Sequence, residues 1–204
     1  AQGTYHENII IANIANTAKN FTLEGGWNSA FTSRSNDPSL TIVDGDTTGD
    51  GIGDGSVYYI STNQPYGGTM DVAIKYFTIR NGSSGSGGGV YVPFGNDQVD
   101  LTLSNNIITA CSASNGGAVA AECVNNACTL ILTNNTIVGN SANSGGGLYS
   151  ATFFTTSQII MTNNTISGNS ADNGGGVYSK VTDGFTSLTL TNNTITGNRA
   201  STEG

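Results

Sequence analysis

"TNNTISGNSADNGGGVYS" occupies Thr162–Ser179. Almost the same words stand one step earlier as "TNNTIVGNSANSGGGLYS" (Thr133–Ser150) and begin again one step later as "TNNTITGNRAS" (Thr191–Ser201). The step is 29 residues and it is strict. Asn105, Asn134, Asn163 and Asn192 keep it, as do Gly87, Gly116, Gly145 and Gly174, and Ile108, Ile137, Ile166 and Ile195. One further step back reaches Ile79, with Val72 and Ile74 in the places of Leu101 and Leu103. Self-similarity at a fixed period of this size marks a solenoid, in which each unit buries its apolar face only by stacking on its neighbours. Five such units cover 71–204.

Within a unit the period is two. Leu188, Thr189, Leu190 and Thr191 alternate as a half-buried strand does, Thr, Ile and Val favour strands, and no helical stripe occurs. The Asn pair then interrupts, and Asn tolerates the left-handed backbone of a sharp bend. "TITGN" (194–198) reads as a second short strand and "GGGVY" (174–178) as a third. Three strands and three bends per repeat predict one coil of a parallel β-helix, an all-β fold whose coils stack about 4.8 Å apart. Equivalent residues then lie above one another. Leu103, Leu132, Met161 and Leu190 form an interior column, and Asn columns pass amide hydrogen bonds from coil to coil. The phrase recurs because each coil must offer the next a matching floor. Two positions break the pattern: Cys111 stands where Asn140, Asn169 and Asn198 stand, and Ala120 where Tyr91, Tyr149 and Tyr178 do.

The repeats resemble those of polymorphic outer-membrane proteins and related bacterial surface β-helix proteins, which pair Phe-x-x-Asn with Gly-Gly-Ala-aliphatic. "GGAV" (116–119) fits the second phrase, "GGGL" (145–148) and "GGGV" (174–177) nearly do, and "IVGN", "ISGN" and "ITGN" carry Ile in place of Phe. "GTYHENIII" (3–11) and "FTLEGGWNSAFTSRSNDPSLTIVDGD" (21–46) are similar to the first coils of secreted pectate-lyase-like β-helix proteins. The resemblance implies a right-handed parallel β-helix, the hand that parallel crossovers prefer, and an extracellular or cell-surface location. It implies no activity, because the fold carries lyases, hydrolases, esterases and inert stalks alike. The expected organisation is an irregular N-terminal part, 1–70, leading into the regular coils of 71–204. The last coil breaks off, so the chain reads as a piece of a longer protein. Its end would be an exposed edge open to end-to-end stacking.

Composition narrows the partners. A net charge of −8 with six Lys and Arg scattered along the chain excludes a phosphate-binding face, hence nucleic acid. No apolar run reaches the ~18–20 residues of a transmembrane helix. Cys123 and Cys128 frame "CVNNAC", a spacing suited to a small disulfide loop in an oxidising compartment. The Gly triplets lack the context of a phosphate-binding loop, and the N-x-T sequences at Asn134, Asn163 and Asn192 fall on the bend, where turn chemistry explains them.

Candidate chemistry lies in three places. "DGDTTGDGIGDG" (44–55) places Asp44, Asp46, Asp50 and Asp54 in a Gly-rich stretch, an arrangement suited to Ca²⁺, although Val57 stands where an EF-hand loop would carry its bidentate Glu. Asp71 and Asp100 share one column near Lys75, the only stacked acid pair in the repeats. The segments 92–98, 121–127, 151–157 and 180–186 vary most and all leave the same edge of successive coils. Phe94, Phe153, Phe154 and Phe185 on that edge are candidates to stack on sugars or anchor a protein. A constant scaffold with a variable edge suits recognition. The expected function is therefore a non-catalytic surface adhesin or stalk that binds a polysaccharide or a cell-surface protein. The alternatives are a carbohydrate-active module and, through its outward Thr columns, an ice-binding protein.

Overall fold

One coil can be followed from Thr136. Thr136–Val138 is the first strand, Ser141–Ser144 the second, Leu148–Phe153 the third and Thr156–Thr162 the fourth, after which Thr165 begins the next coil. The computed structural model describes residues 1–13, 19–62, 68–93 and 98–203. Among them every strand-to-strand ladder is parallel, and equivalent strands of successive coils gather into four sheets of seven, five, six and six strands. Ile137 lies over Ile166, Leu148 over Val177 and Leu132 over Met161, one repeat apart. The chain is a parallel β-solenoid with a 29-residue coil.

The three expected strands are joined by a fourth. The five-stranded sheet is built from Ser83–Ser86, Ser112–Asn115, Ser141–Ser144, Ser170–Asn173 and Arg199–Glu203. The middle three hold only Ser, Asn, Ala and Asp and bury little, so no hydrophobic alternation announces them. Their neighbours' fixed register brings the backbones together and makes them strands.

Each corner of a coil is a residue in the left-handed region. For the coil traced above these are Gly139, Gly145, Phe154 and Asn163, with φ of 67°, 67°, 55° and 57°. The Gly phrase has a second cause, because a Cβ on Gly146 would lie 2.5 Å from the carbonyl oxygens of Ser170 and Gly175. The Asn pair divides its labour. Asn134 and Asn163 turn the chain and stay exposed, while Asn135 and Asn164 point inward and are buried. Asn135 Nδ2 donates to the Leu103 carbonyl at 2.8 Å and to Asn164 Oδ1 at 3.0 Å, while its own Oδ1 accepts from the Asn106 backbone N–H at 3.0 Å. A second ladder runs through Asn140, Asn169 and Asn198. Each ladder starts on an apolar residue whose backbone N–H still donates to the first amide: Phe77 to Asn106 and Cys111 to Asn140, both at 3.0 Å. Burial pushes the Cys111 thiol up to about 12, so it stays protonated as a core residue.

Between the ladders run columns of Val, Ile, Leu and Met, including Ile79, Ile108, Ile137 and Ile166, each 0% exposed. Full burial of such a side chain stabilises by ~1.5–3 kcal/mol. The seven-stranded sheet and both six-stranded sheets continue into the N-terminal part through Gly3–His6, Ile9–Asn13 and Lys19–Glu24. The five-stranded sheet does not. Its place in the coil of Thr41–Asp44 is taken by the acidic stretch, whose Gly55 carbonyl accepts from Ser83 N–H at 2.9 Å. No helix among the described residues is long and apolar enough to cross a membrane.

Candidate functional site

The variable segments 121–127, 151–157 and 180–186 do not project as loops, and most of 92–98 lies outside the described residues. Val119–Val124, Leu148–Phe153 and Val177–Thr182 stay paired in register to their ends, and the chain then turns sharply into Cys128–Thr133, Thr156–Thr162 and Phe185–Thr191. The corner between the two six-stranded sheets is therefore a tight ridge. Pairing satisfies the backbone amides that a loop would have left to water.

Phe154 sits on that ridge at φ 55°, in line with Asn125 and Asp183, which are also left-handed. Its backbone N–H donates to the Thr182 carbonyl at 3.1 Å, and its side chain is 63% exposed. A bulky residue in this region is an outlier that costs about 1–2 kcal/mol. Phe185, on the next coil and opposite Thr156, is also 63% exposed. Phe153 points the other way and is half-buried against Ala120, Tyr149 and Ala151. Phe94 lies outside the described residues. Of the four aromatic candidates the structure leaves Phe154 and Phe185 exposed on successive coils of the ridge and packs Phe153 against the sheet.

The ridge is stapled from inside. Cys123 and Cys128 are bonded, with Cα atoms 6.0 Å apart. One coil on, their register partners are Thr152 and Ser157, whose hydroxyls are 2.7 Å apart, and Thr186 of the following coil closes the triangle at 2.8 and 2.9 Å. One disulfide and one hydroxyl cluster thus do the same work at the same corner.

Beside the ridge the outer face of the sheet carries Tyr59, Tyr91, Ala120, Tyr149 and Tyr178 in one row. Ala120 leaves a gap over which Tyr91 reaches: its hydroxyl donates to Glu122 Oε2 at 2.7 Å, and Ser86 donates to Oε1 at 3.3 Å. Glu122 is 5% exposed. Burial raises its carboxyl above the usual range, and the two hydroxyl bonds pull the other way. The sequence reading missed this group, although the missing Tyr at position 120 was its trace.

Asp71 and Asp100 do stack. With Asn20, Thr22, Ala73 and Thr102 they border an open depression of about 280 Å³ on the outer face of the other six-stranded sheet. Asp100 is engaged, accepting from Thr129 N–H and Gln98 Nε2, each at 2.9 Å. Lys75 turns to Glu24 at 4.0 Å.

The acids of the 44–55 stretch are tied into hydrogen bonds. Asp46 accepts from the amides of Gly49, Asp50 and Gly51, and Asp54 from the amides of Thr47 and Thr48 and the Thr47 hydroxyl. Asp50 caps Ile52 N–H. Asp44 receives Arg80 Nε at 2.8 Å, Asn81 Nδ2 at 3.0 Å and Asp46 N–H. Burial pushes the Asp44 carboxyl up, but these donors outweigh it and hold the pKa below the ordinary value. Ca²⁺ needs ~6–8 converging oxygens. Among the described residues no three His, Cys, Asp or Glu side chains gather to hold a metal ion. The four acids are thus held by hydrogen bonds, most of them from within their own loop. No family model matches the chain, and no curated protein or solved structure matches it, so the functional reading rests on this geometry.

Proposed function

We propose that this chain is a non-catalytic, extracellular or cell-surface scaffold that displays the Phe154–Phe185 ridge to a glycan or a surface partner. The observation that carries the reading is Phe154. It holds a costly backbone conformation and leaves its ring in water, where Asn at the same place in the preceding coil would cost less. Exposed rings on a rigid, stapled corner are suited to stacking on the apolar face of a sugar. The disulfide agrees with an oxidising, extracellular setting.

The test incubates the protein with neutral and acidic polysaccharides and reads retention and new chain ends from the same samples. Retention without cleavage is expected, weakened about tenfold for each ring removed in Phe154→Asn and Phe185→Ser. Phe154→Asn should also keep or raise stability by up to ~1 kcal/mol, since Asn accepts the left-handed backbone. Undiminished binding by the double variant would sink the ridge reading. The open depression at Asp71 and Asp100 supports a second reading, a carbohydrate-active module. New chain ends that vanish in Asp71→Asn or Asp100→Asn would select it.

A further inference from the structure

Asn125, Phe154 and Asp183 turn the same corner of three successive coils, at φ of 61°, 55° and 50°. All three are exposed. Coils are paired above and below both Asn125 and Phe154. These two are therefore exposed because a corner points away from the stack, and not because the stack ends. The same direction serves Asp183.

The line presents an amide, a ring and a carboxylate at steps of about 4.8 Å. Among the described residues neither the Asn125 amide nor the Asp183 carboxylate hydrogen-bonds within the chain. Asp44, Asp46, Asp54 and Asp100, by contrast, all accept from nearby donors. An amide donates and accepts, and a carboxylate only accepts, so a ligand on this line must bring hydroxyl donors as well as acceptors. The ring between them asks for an apolar face to stack on. Hydroxyls around the edge and C–H groups on the face are the chemistry of a pyranose.

Charge selects among polysaccharides. No Lys or Arg stands between Arg80 and Lys180, and Lys180, three residues before Asp183, only offsets that carboxylate. A polyanion needs clustered bases to hold it, and this line offers none. Taking the ridge as the binding site proposed above, we infer that it holds a neutral polysaccharide along the solenoid axis, one sugar to a coil. The coil step is close to the advance of one sugar in an extended chain, so neighbouring sugars meet neighbouring coils. The outer two place hydroxyls on Asn125 and Asp183, and the middle one lays its face on Phe154.

Calorimetric titration with neutral β-linked hexose oligomers of increasing length tests this, against the same oligomers oxidised to uronic acids. Affinity is expected to rise with each sugar up to the third and then level off, and to be about tenfold lower in the uronic series. Asn125→Gly and Asp183→Asn both suit the left-handed corner, and unchanged circular dichroism confirms that each variant folds. Each should weaken the neutral series by about three- to tenfold. Asp183→Asn should also narrow the gap between the two series. Equal affinity for both series, or no gain beyond a single sugar, overturns the inference. If binding still falls in Phe154→Asn, the ridge itself survives that result. Absence of binding to every neutral oligomer overturns the inference too. Binding that Phe154→Asn leaves unchanged removes the ridge as the site.

Discussion

Neighbouring asparagines with identical side chains do opposite work in this chain, and substitution should separate them. Asn135→Ala removes the acceptor of the Asn106 N–H and the donor to Leu103 and Asn164, all buried. Stranded buried polar groups cost ~1–3 kcal/mol each, so a loss of at least about 3 kcal/mol is expected in urea unfolding. Asn134→Gly keeps the left-handed turn and should change stability by less than ~1 kcal/mol. The sequence declared both roles, since the pair recurs at every bend and Asn suits both a ladder and a turn. It could not declare Glu122. Nothing in "AVAAEC" says that Tyr91, thirty-one residues earlier, leans over Ala120 to reach a carboxyl. Its titration gives a signed prediction. The folded-state pKa lies above the unfolded one, so the contribution of Glu122 to stability is full below the ordinary Glu range and is lost as pH rises through the raised value. Glu122→Gln should flatten the fall in stability above the ordinary Glu range, as read by unfolding at a series of pH values.

Elements with an apolar stripe were visible beforehand, and the one without was not. "SLTLTN" announces its strand because alternate side chains go inward, whereas "SANS" faces little but solvent and is a strand only through its neighbours. The ridge is hidden in the sequence for a related reason. Variable sequence suggests irregular backbone, yet the paired strands carry the variation on both faces, Glu122 and Ala151 on one and Cys123 and Thr152 on the other. The staple inside the ridge yields an exchange experiment. Cys123→Thr with Cys128→Ser writes the hydroxyl pair of the next coil into this one. The variant should fold with unchanged circular dichroism. It should lose about 2 kcal/mol, the entropy of a short cross-linked loop, less what the new hydroxyl bond returns. Loss of the fold would show that the two corners are not equivalent.

At the scale of the whole molecule the acids concentrate in 44–55, where backbone amides already hold Asp46 and Asp54 in place. A chelator should therefore leave the melting temperature where it was, and added calcium should not raise it. The solenoid's cohesion is local throughout, since every coil bonds to the coils directly above and below it. The identity of one repeat with the next carries a consequence for descent. A copying error that duplicates one repeat of coding sequence adds a coil whose every ladder, column and corner finds its partner in place. Such an error lengthens the rod by about 4.8 Å and disturbs nothing else. The reach of this molecule is thus set in whole steps, and heredity can lengthen or shorten it one step at a time.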